Sequence, residues 1–136
     1  MADLTITAAN VIPASDTPIG EGTAGGTIVA GNPLYIDAAD SNKLKPCDST
    51  SAAKAACVGI AVNSASSGQP VKYARAQTVA MGSVFTVGAI FVVSENAGGI
   101  APIADLGSAE FVTIIGVATS ATELYIGIVA SGVAKA

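Results

Sequence analysis

Glycine and proline recur along this chain at a nearly constant offset, and this restricts its possible folds more than any other feature. Three landmarks of the first half return 57, 56 and 57 residues later: Gly31, Pro46 and Gly59 recur as Gly88, Pro102 and Gly116. Chance recurrence is the alternative, because such residues punctuate any all-β chain. If the duplication is real, the two halves must pack together, since a lone small sheet is marginal in water.

The segments between these landmarks are short, rich in β-branched residues and separated by turn residues, which predicts an all-β fold. We expect a compact β-barrel or sandwich in a single domain over residues 26–136, with pseudo-repeated halves at residues 26–75 and 82–131. One short helix is expected within residues 49–56, where Ser or Thr precedes an alanine-rich run.

Residues 1–25 differ in composition from the rest and predict an extended N-terminal arm. Pro13, Pro18 and four glycines between residues 20 and 26 interrupt any regular element. A loosely ordered terminus without a role is the alternative, because unanchored chain ends are commonly disordered. Four apolar residues favour docking of the arm on another surface: Leu4, Ile6, Val11 and Ile12.

The composition argues against several classes of partner. Only 12% of residues are charged and the net charge is −4, so clustered cations for binding nucleic acid are not expected. The apolar runs are too short for a membrane-spanning helix, and the N-terminus lacks the pattern of a cleaved signal, so folding in a cytoplasm is expected. A weakly charged surface favours packing against protein partners.

The side chains needed for common catalytic mechanisms are scarce. The chain has no histidine, which removes the usual base for a Ser, Thr or Cys nucleophile. Ser51 and Lys54 form a Ser-x-x-Lys pair, but a solvated helix end is the favoured interpretation. The carboxylate pairs Asp105 with Glu110 and Asp37 with Asp40 lack the aromatic platforms of sugar sites. We therefore expect no enzyme and no cofactor.

Metal binding is not expected either. Four oxygen-bearing side chains have spacings that could suit calcium: Asp37, Asp40, Asn42 and Asp48. The order of a known calcium loop is missing and two lysines lie nearby, so a β-turn is favoured. Cys47 and Cys57 are too far apart for a zinc pair and are expected to be small semi-buried residues, with a disulfide between them as the alternative.

Several segments of the chain resemble the small capsid cement, or head decoration, proteins of tailed bacteriophages, a group formerly catalogued as a domain of unknown function. The resemblance runs from Leu4 to the C-terminus and is carried by residues 30–37 (AGNPLYID), 59–61 (GIA), 68–71 (GQPV), 97–102 (AGGIAP) and 116–119 (GVAT). These motifs consist of glycine, proline and small apolar residues.

The resemblance implies a β domain, often a homotrimer, that binds the outer surface of the mature virion and stabilises contacts between subunits of the major capsid protein. It implies no catalysis. The family has no contact residues that can be carried over by position. From the apolar character of the arm and of the strand faces, we predict that Leu4, Ile6, Val11 and Ile12 contact the capsid and that Tyr73 and Tyr125 lie at a subunit interface. The alternative is an adhesion or glycan-binding β module of a phage tail or cell surface, with Tyr35, Tyr73 and Tyr125 lining a groove.

Overall fold

The computed structural model describes residues 3–136, which fold into two antiparallel sheets. The strands are β1 (Ile12–Pro13), β2 (Ile19–Thr23), β3 (Pro33–Asp37), β4 (Lys43–Pro46), β5 (Cys57–Ala61), β6 (Pro70–Ala74), β7 (Gln77–Ala80), β8 (Ile90–Val93), β9 (Ile100–Pro102), β10 (Phe111–Ala118) and β11 (Glu123–Ala134). Helix α1 (Ala52–Ala55) and 3-10 turns at Ala8–Asn10, Ala38–Asp40 and Ile103–Asp105 complete the described residues. The predicted all-β class and the single short α-helix are confirmed.

The two sheets have the same strand order. Sheet A has the order β1-β7-β11-β10-β8-β9, and sheet B has the order β2-β6-β5-β3-β4. When β2 to β6 are matched with β7 to β11 in chain order, the two orders coincide and β1 is the one addition to sheet A. Neither sheet closes on itself, so the sandwich, of the two predicted alternatives, describes the fold.

The register of the strands also corresponds between the two sheets. Two cross-strand partners of Leu34 in sheet B match two partners of Phe91 in sheet A: Leu34 faces Pro46 and Gly59, and Phe91 faces Pro102 and Gly116. These are the recurring landmarks of the sequence. The same landmark residues therefore occupy the same positions in the two sheets.

Close backbone approach explains why glycine recurs at two of these positions. A Cβ atom added at Gly59 would collide with the carbonyl oxygen of Ala74, and one added at Gly116 would collide with the carbonyl oxygen of Tyr125. Ala74 and Tyr125 occupy matching places on β6 and β11, where they face Ile60 and Val117. Each glycine thus lets the next strand approach at the same point of its sheet.

The hydrophobic core has two parts. The main cluster combines the inner face of sheet A, which includes Phe91 and Leu124, with one face of sheet B, which includes Tyr35 and Ile60. A smaller cluster lies on the other face of sheet B around Leu34. The two sheets therefore share one core, while sheet B has a second core of its own.

The residues predicted to form the N-terminal arm contribute strands to both sheets. β1 pairs with β7 at the edge of sheet A, and β2 pairs with β6 along its whole length. Further upstream, the backbone N–H of Leu4 donates a 2.8 Å hydrogen bond to the carbonyl of Ile100. Pairing with a sheet satisfies the backbone groups that a free arm would leave to water. Residues 1 and 2 lie outside the described residues.

Each structural half consequently begins earlier than the sequence indicated. β2 and β7 hold matching positions beside β6 and β11, yet both precede the predicted starts at residues 26 and 82. Glycines in β2 obscured this strand, because glycine usually weakens a strand pattern. The matching units are therefore longer than the predicted pseudo-repeats 26–75 and 82–131.

Candidate functional site

The outward side of sheet A presents to solvent a row of three large apolar side chains and one threonine. Thr78, Tyr125, Val117 and Ile90 are direct cross-strand neighbours on four adjacent strands. Direct neighbours in an antiparallel sheet project from the same face. Val117 is 40% exposed and Tyr125 is 51% exposed. This row is the centre of the surface that we call the outer face of sheet A.

Two further rows extend the outer face. One row contains Ile12, Ala80 and Glu123, and the other contains Val129, Ile114, Val92 and Ala101. Within the three rows Glu123 is the one charged residue. Five of the eleven large apolar side chains that the described residues expose lie here: Ile12, Ile90, Val117, Tyr125 and Val129. The outer face is not exposed at its β8–β9 end, where Val92 and Ala101 are fully buried.

Most of the matching face of sheet B is buried inside the molecule, although Ile19 on its edge strand is 40% exposed. Its central row consists of Pro33, Ile60, Ala74 and Ile19, the positional counterparts of Ile90, Val117, Tyr125 and Thr78. Ile60 and Ala74 belong to the main hydrophobic cluster, which includes the inner face of sheet A. One face of the shared plan is thus covered in the first half of the chain and exposed in the second.

The residues predicted to contact a capsid are divided by the structure. Leu4 and Ile6 pack against the main cluster, and Val11 belongs to it. The backbone at Gly31 approaches Ile6 so closely that an added Cβ would lie 2.8 Å from its Cγ2. Ile12 is 60% exposed and lies on the outer face of sheet A. Val11 is therefore enclosed by the chain's own core, Leu4 and Ile6 are partly buried against it, and Ile12 is the most exposed of the four.

The tyrosines lie on separate surfaces. Tyr35 is buried in the main cluster, Tyr73 packs against the smaller cluster beside Gly20, and Tyr125 lies on the outer face. Of the two residues predicted at a subunit interface, Tyr125 is thus exposed and Tyr73 is half-buried. The three rings share no groove of the kind that the glycan-binding alternative would use.

Ser51 and Lys54 have structural partners. The Ser51 side chain caps helix α1 by accepting a 3.3 Å hydrogen bond from the backbone N–H of Lys54. Lys54 Nζ lies 4.0 Å from a carboxylate oxygen of Asp48. Capping satisfies an otherwise unpaired helix N–H group. This geometry accounts for the Ser-x-x-Lys spacing.

The acidic residues considered for calcium form ion pairs. Lys45 Nζ donates a 2.7 Å hydrogen bond to Asp37 and lies 3.1 Å from a carboxylate oxygen of Asp40. This hydrogen bond holds the pKa of the Asp37 carboxyl below its ordinary value, and it raises the pKa of Lys45. Within residues 3–136, no group of three His, Cys, Asp or Glu side chains is arranged to hold a metal ion.

Glu110, of the predicted carboxylate pair with Asp105, has two hydrogen-bond partners. Glu110 accepts a 2.7 Å hydrogen bond from the hydroxyl of Ser49 and another from the backbone N–H of Gly107. Cys47 and Cys57 are buried free thiols, and burial raises the pKa of Cys47, with the neighbouring Cys57 raising it further.

An open depression of about 280 Å³ lies over the smaller cluster and is lined by uncharged residues: Thr27, Ile28, Val29, Ser64, Ala65, Ser66 and Gln69.

No protein-family model matches the chain, and no curated protein is significantly similar to it in sequence. In the described part of the chain, no helix has the length and apolarity needed to cross a bilayer.

The outer face of sheet A is the candidate functional site on geometric grounds. Sequence reasoning missed Ile90, Val117 and Val129, because these strands carry apolar residues on both faces and their alternation does not show which face is covered.

Proposed function

We propose that the chain is a decoration, or cement, protein of a tailed-bacteriophage head. In this proposal it is made in the host bacterial cytoplasm, binds the outer surface of the mature head and stabilises contacts between subunits of the major capsid protein. It acts as a structural protein and not as an enzyme. The resemblance of the sequence to such proteins supports the proposal.

The observation that carries the proposal is the exposed outer face of sheet A. Its rows are apolar apart from Thr78 and Glu123, and most of the counterpart face of sheet B is buried. Apolar surface that stays in water on an isolated subunit gains free energy when a partner covers it. We assign the contact with the shell to this face, with Val117 and Tyr125 at its centre and Ile12 at its edge.

Modest individual contacts suffice for such a protein. A subunit that bridges several capsid proteins makes its later contacts at a high effective concentration, so the whole attachment exceeds each contact in strength. If the binding surface exists on the expanded lattice and not on its precursor, binding stabilises the expanded state by mass action. Neither step requires a reactive group.

Charge placed on the outer face tests the proposal. A variant with both Val117→Asp and Tyr125→Asp should bind expanded heads that lack the decoration protein with an apparent Kd raised by roughly tenfold or more, because two buried carboxylates would oppose docking. The heads come from the phage that encodes the chain, and occupancy is measured by quantitative cosedimentation. Circular dichroism checks that the variant is folded.

Ile36→Asp provides the matched control. Ile36 is 45% exposed on sheet B, away from the outer face, so this variant should bind as the unchanged protein does. Equal occupancy for the outer-face variant and the control would contradict the assignment of the surface. Failure of the unchanged protein to bind expanded heads would contradict the proposed function itself.

A further inference from the structure

The C-terminal part of β11 has a neighbouring strand on one side only. β7 pairs with Glu123–Ile126, whereas β11 continues to Ala134 and keeps β10 as its neighbour on the opposite side. Within residues 3–136, no strand pairs with residues 127–134 on the β7 side. Backbone donors and acceptors on such an edge form a template for another strand.

The other sheet edges are protected. β1 contains Pro13 and β9 contains Pro102, and both strands are short. In sheet B the edge strands β2 and β4 approach each other at a parallel bridge between Ala24 and Leu44. Short strands and proline are the usual means by which proteins prevent pairing at an edge. The unprotected part of β11 therefore stands apart from the other edges.

This part of β11 is also an addition to the plan that the two halves share. Tyr125 is the counterpart of Ala74, the last residue of β6, and β2 flanks β6 along its whole length. Residues 126–134 extend beyond that counterpart. Sheet B forms without a counterpart of this extension, so the formation of a sheet with this strand order does not require it.

The extension is held in place before any partner arrives. Lys135 exchanges two 2.8 Å backbone hydrogen bonds with Ala109 and Glu110, and the Lys135 ammonium donates a 2.7 Å hydrogen bond to the carbonyl of Leu106. The Ser131 hydroxyl donates to the carbonyl of Val112. A strand already fixed on one side loses less conformational freedom when it pairs on the other.

We propose that a second copy of this chain pairs with this edge, β11 against β11, antiparallel about a twofold axis. Residues 126–134 contain no charged residue and no proline. Self-pairing therefore brings no like charges together, and every residue of the segment has a backbone N–H that can donate to the partner strand. A second copy also presents the same unprotected edge, so each chain can pair with the free backbone groups of the other.

A bulge limits the length of the pairing. Gly132 has a φ of +71°, and the register with β10 shifts between Phe111 and Thr113, opposite this end of β11. Bulges disrupt strand pairing locally. The pairing is thus confined to residues 127–130, and so short a segment predicts weak, concentration-dependent dimerisation. One edge pairs with one edge, so the product is a dimer and not the homotrimer implied by the family resemblance.

Sedimentation equilibrium of the full chain, without heads, tests this inference independently of the proposed function. The unchanged protein should give a monomer–dimer equilibrium. Val129→Lys should raise its dissociation constant roughly tenfold, since a lysine within the pairing segment opposes docking. Val133→Lys, with similar exposure but beyond the bulge, should leave the equilibrium unchanged. Tyr125→Lys, on the outer face but flanked by β7, should also leave it unchanged.

Cysteines introduced singly at residues 127–130 add a positional test. Antiparallel self-pairing predicts that oxidation yields a covalent dimer at one or two of these positions, near the axis, and at no others. A monomer at every concentration, a trimer mass, or a dimer disrupted by Tyr125→Lys would overturn the inference. Head binding of the unchanged protein would survive any of these results, so the two proposals fail separately.

Discussion

The two halves of the molecule share strand order and register but differ in what covers them. In the first half, Ile60 and Ala74 face the interior of the molecule, whereas their counterparts Val117 and Tyr125 face solvent. The local plan alone does not decide whether a face is core or surface. That outcome depends on which neighbour the rest of the chain brings to it.

The halves also differ in the segment that precedes the fourth strand of the shared plan, which is β5 in the first half and β10 in the second. In the first half this segment contains α1, which packs near β3, β10 and β11. In the second half β10 begins earlier and its first residues pair with the end of β11. Helix α1 of the first half and the start of β10, paired with the end of β11, in the second half thus occupy matching positions along the chain.

The largest effect is expected from removing a matched core side chain in each half. Phe91→Ala should lower the free energy of unfolding by about 4 kcal/mol, and Leu34→Ala by about 3 kcal/mol, because both side chains are fully buried. Because the halves share a core, chemical denaturation of either variant should show one cooperative transition. Exposed Val87→Ala is the control. Two separate transitions would show that the halves fold independently.

The matched glycines provide a sharper comparison with a smaller expected effect. Gly59→Ala and Gly116→Ala should each destabilise the protein by about 2 to 3 kcal/mol, because the added methyl group collides with a backbone carbonyl. Urea denaturation measures both changes. Gly127→Ala, where a Cβ meets open space, should have little effect. A large loss for one glycine and none for the other would refute their equivalence.

The smallest effect concerns charges that only the first half carries. Asp37 and Lys45 form an ion pair in sheet B, where the matching positions of sheet A are the buried Ser94 and Ala101. The lowered pKa of Asp37 means that its stabilising contribution is complete above the ordinary carboxyl pKa and is lost as pH falls through the lowered value.

Lys45→Gln should therefore raise the Asp37 pKa toward its ordinary value, as measured by NMR titration of the side-chain carboxyl carbon. The stabilisation that acid removes should be reduced accordingly. Lys43→Gln is the control, since Lys43 Nζ lies 3.9 Å from Asp40 and so pairs with a different carboxylate. An Asp37 pKa that is the same in both variants would contradict the role assigned to Lys45.

Much of the fold follows from local sequence, and most of the candidate site does not. Turn residues and β-branched runs located most strands, and the Ser and Thr residues before an alanine-rich run located α1. The strand at Ile19–Thr23 was hidden by its glycines, whose place in a sheet depends on pairing with β6. The sequence shows that Leu4, Ile6 and Val11 are apolar, which suggested a docking segment. It does not show the core of the same chain against which they pack.

The sequence by itself determined the β class, the recurring landmarks and the low surface charge, because these depend on residue type and spacing over short distances. Tertiary structure alone decided that the N-terminal segment belongs to the core, that Ile12 and Tyr125 share one face, and that β11 extends past its neighbour β7. Burial and edge pairing are relations between segments distant in the chain, so no local pattern contains them.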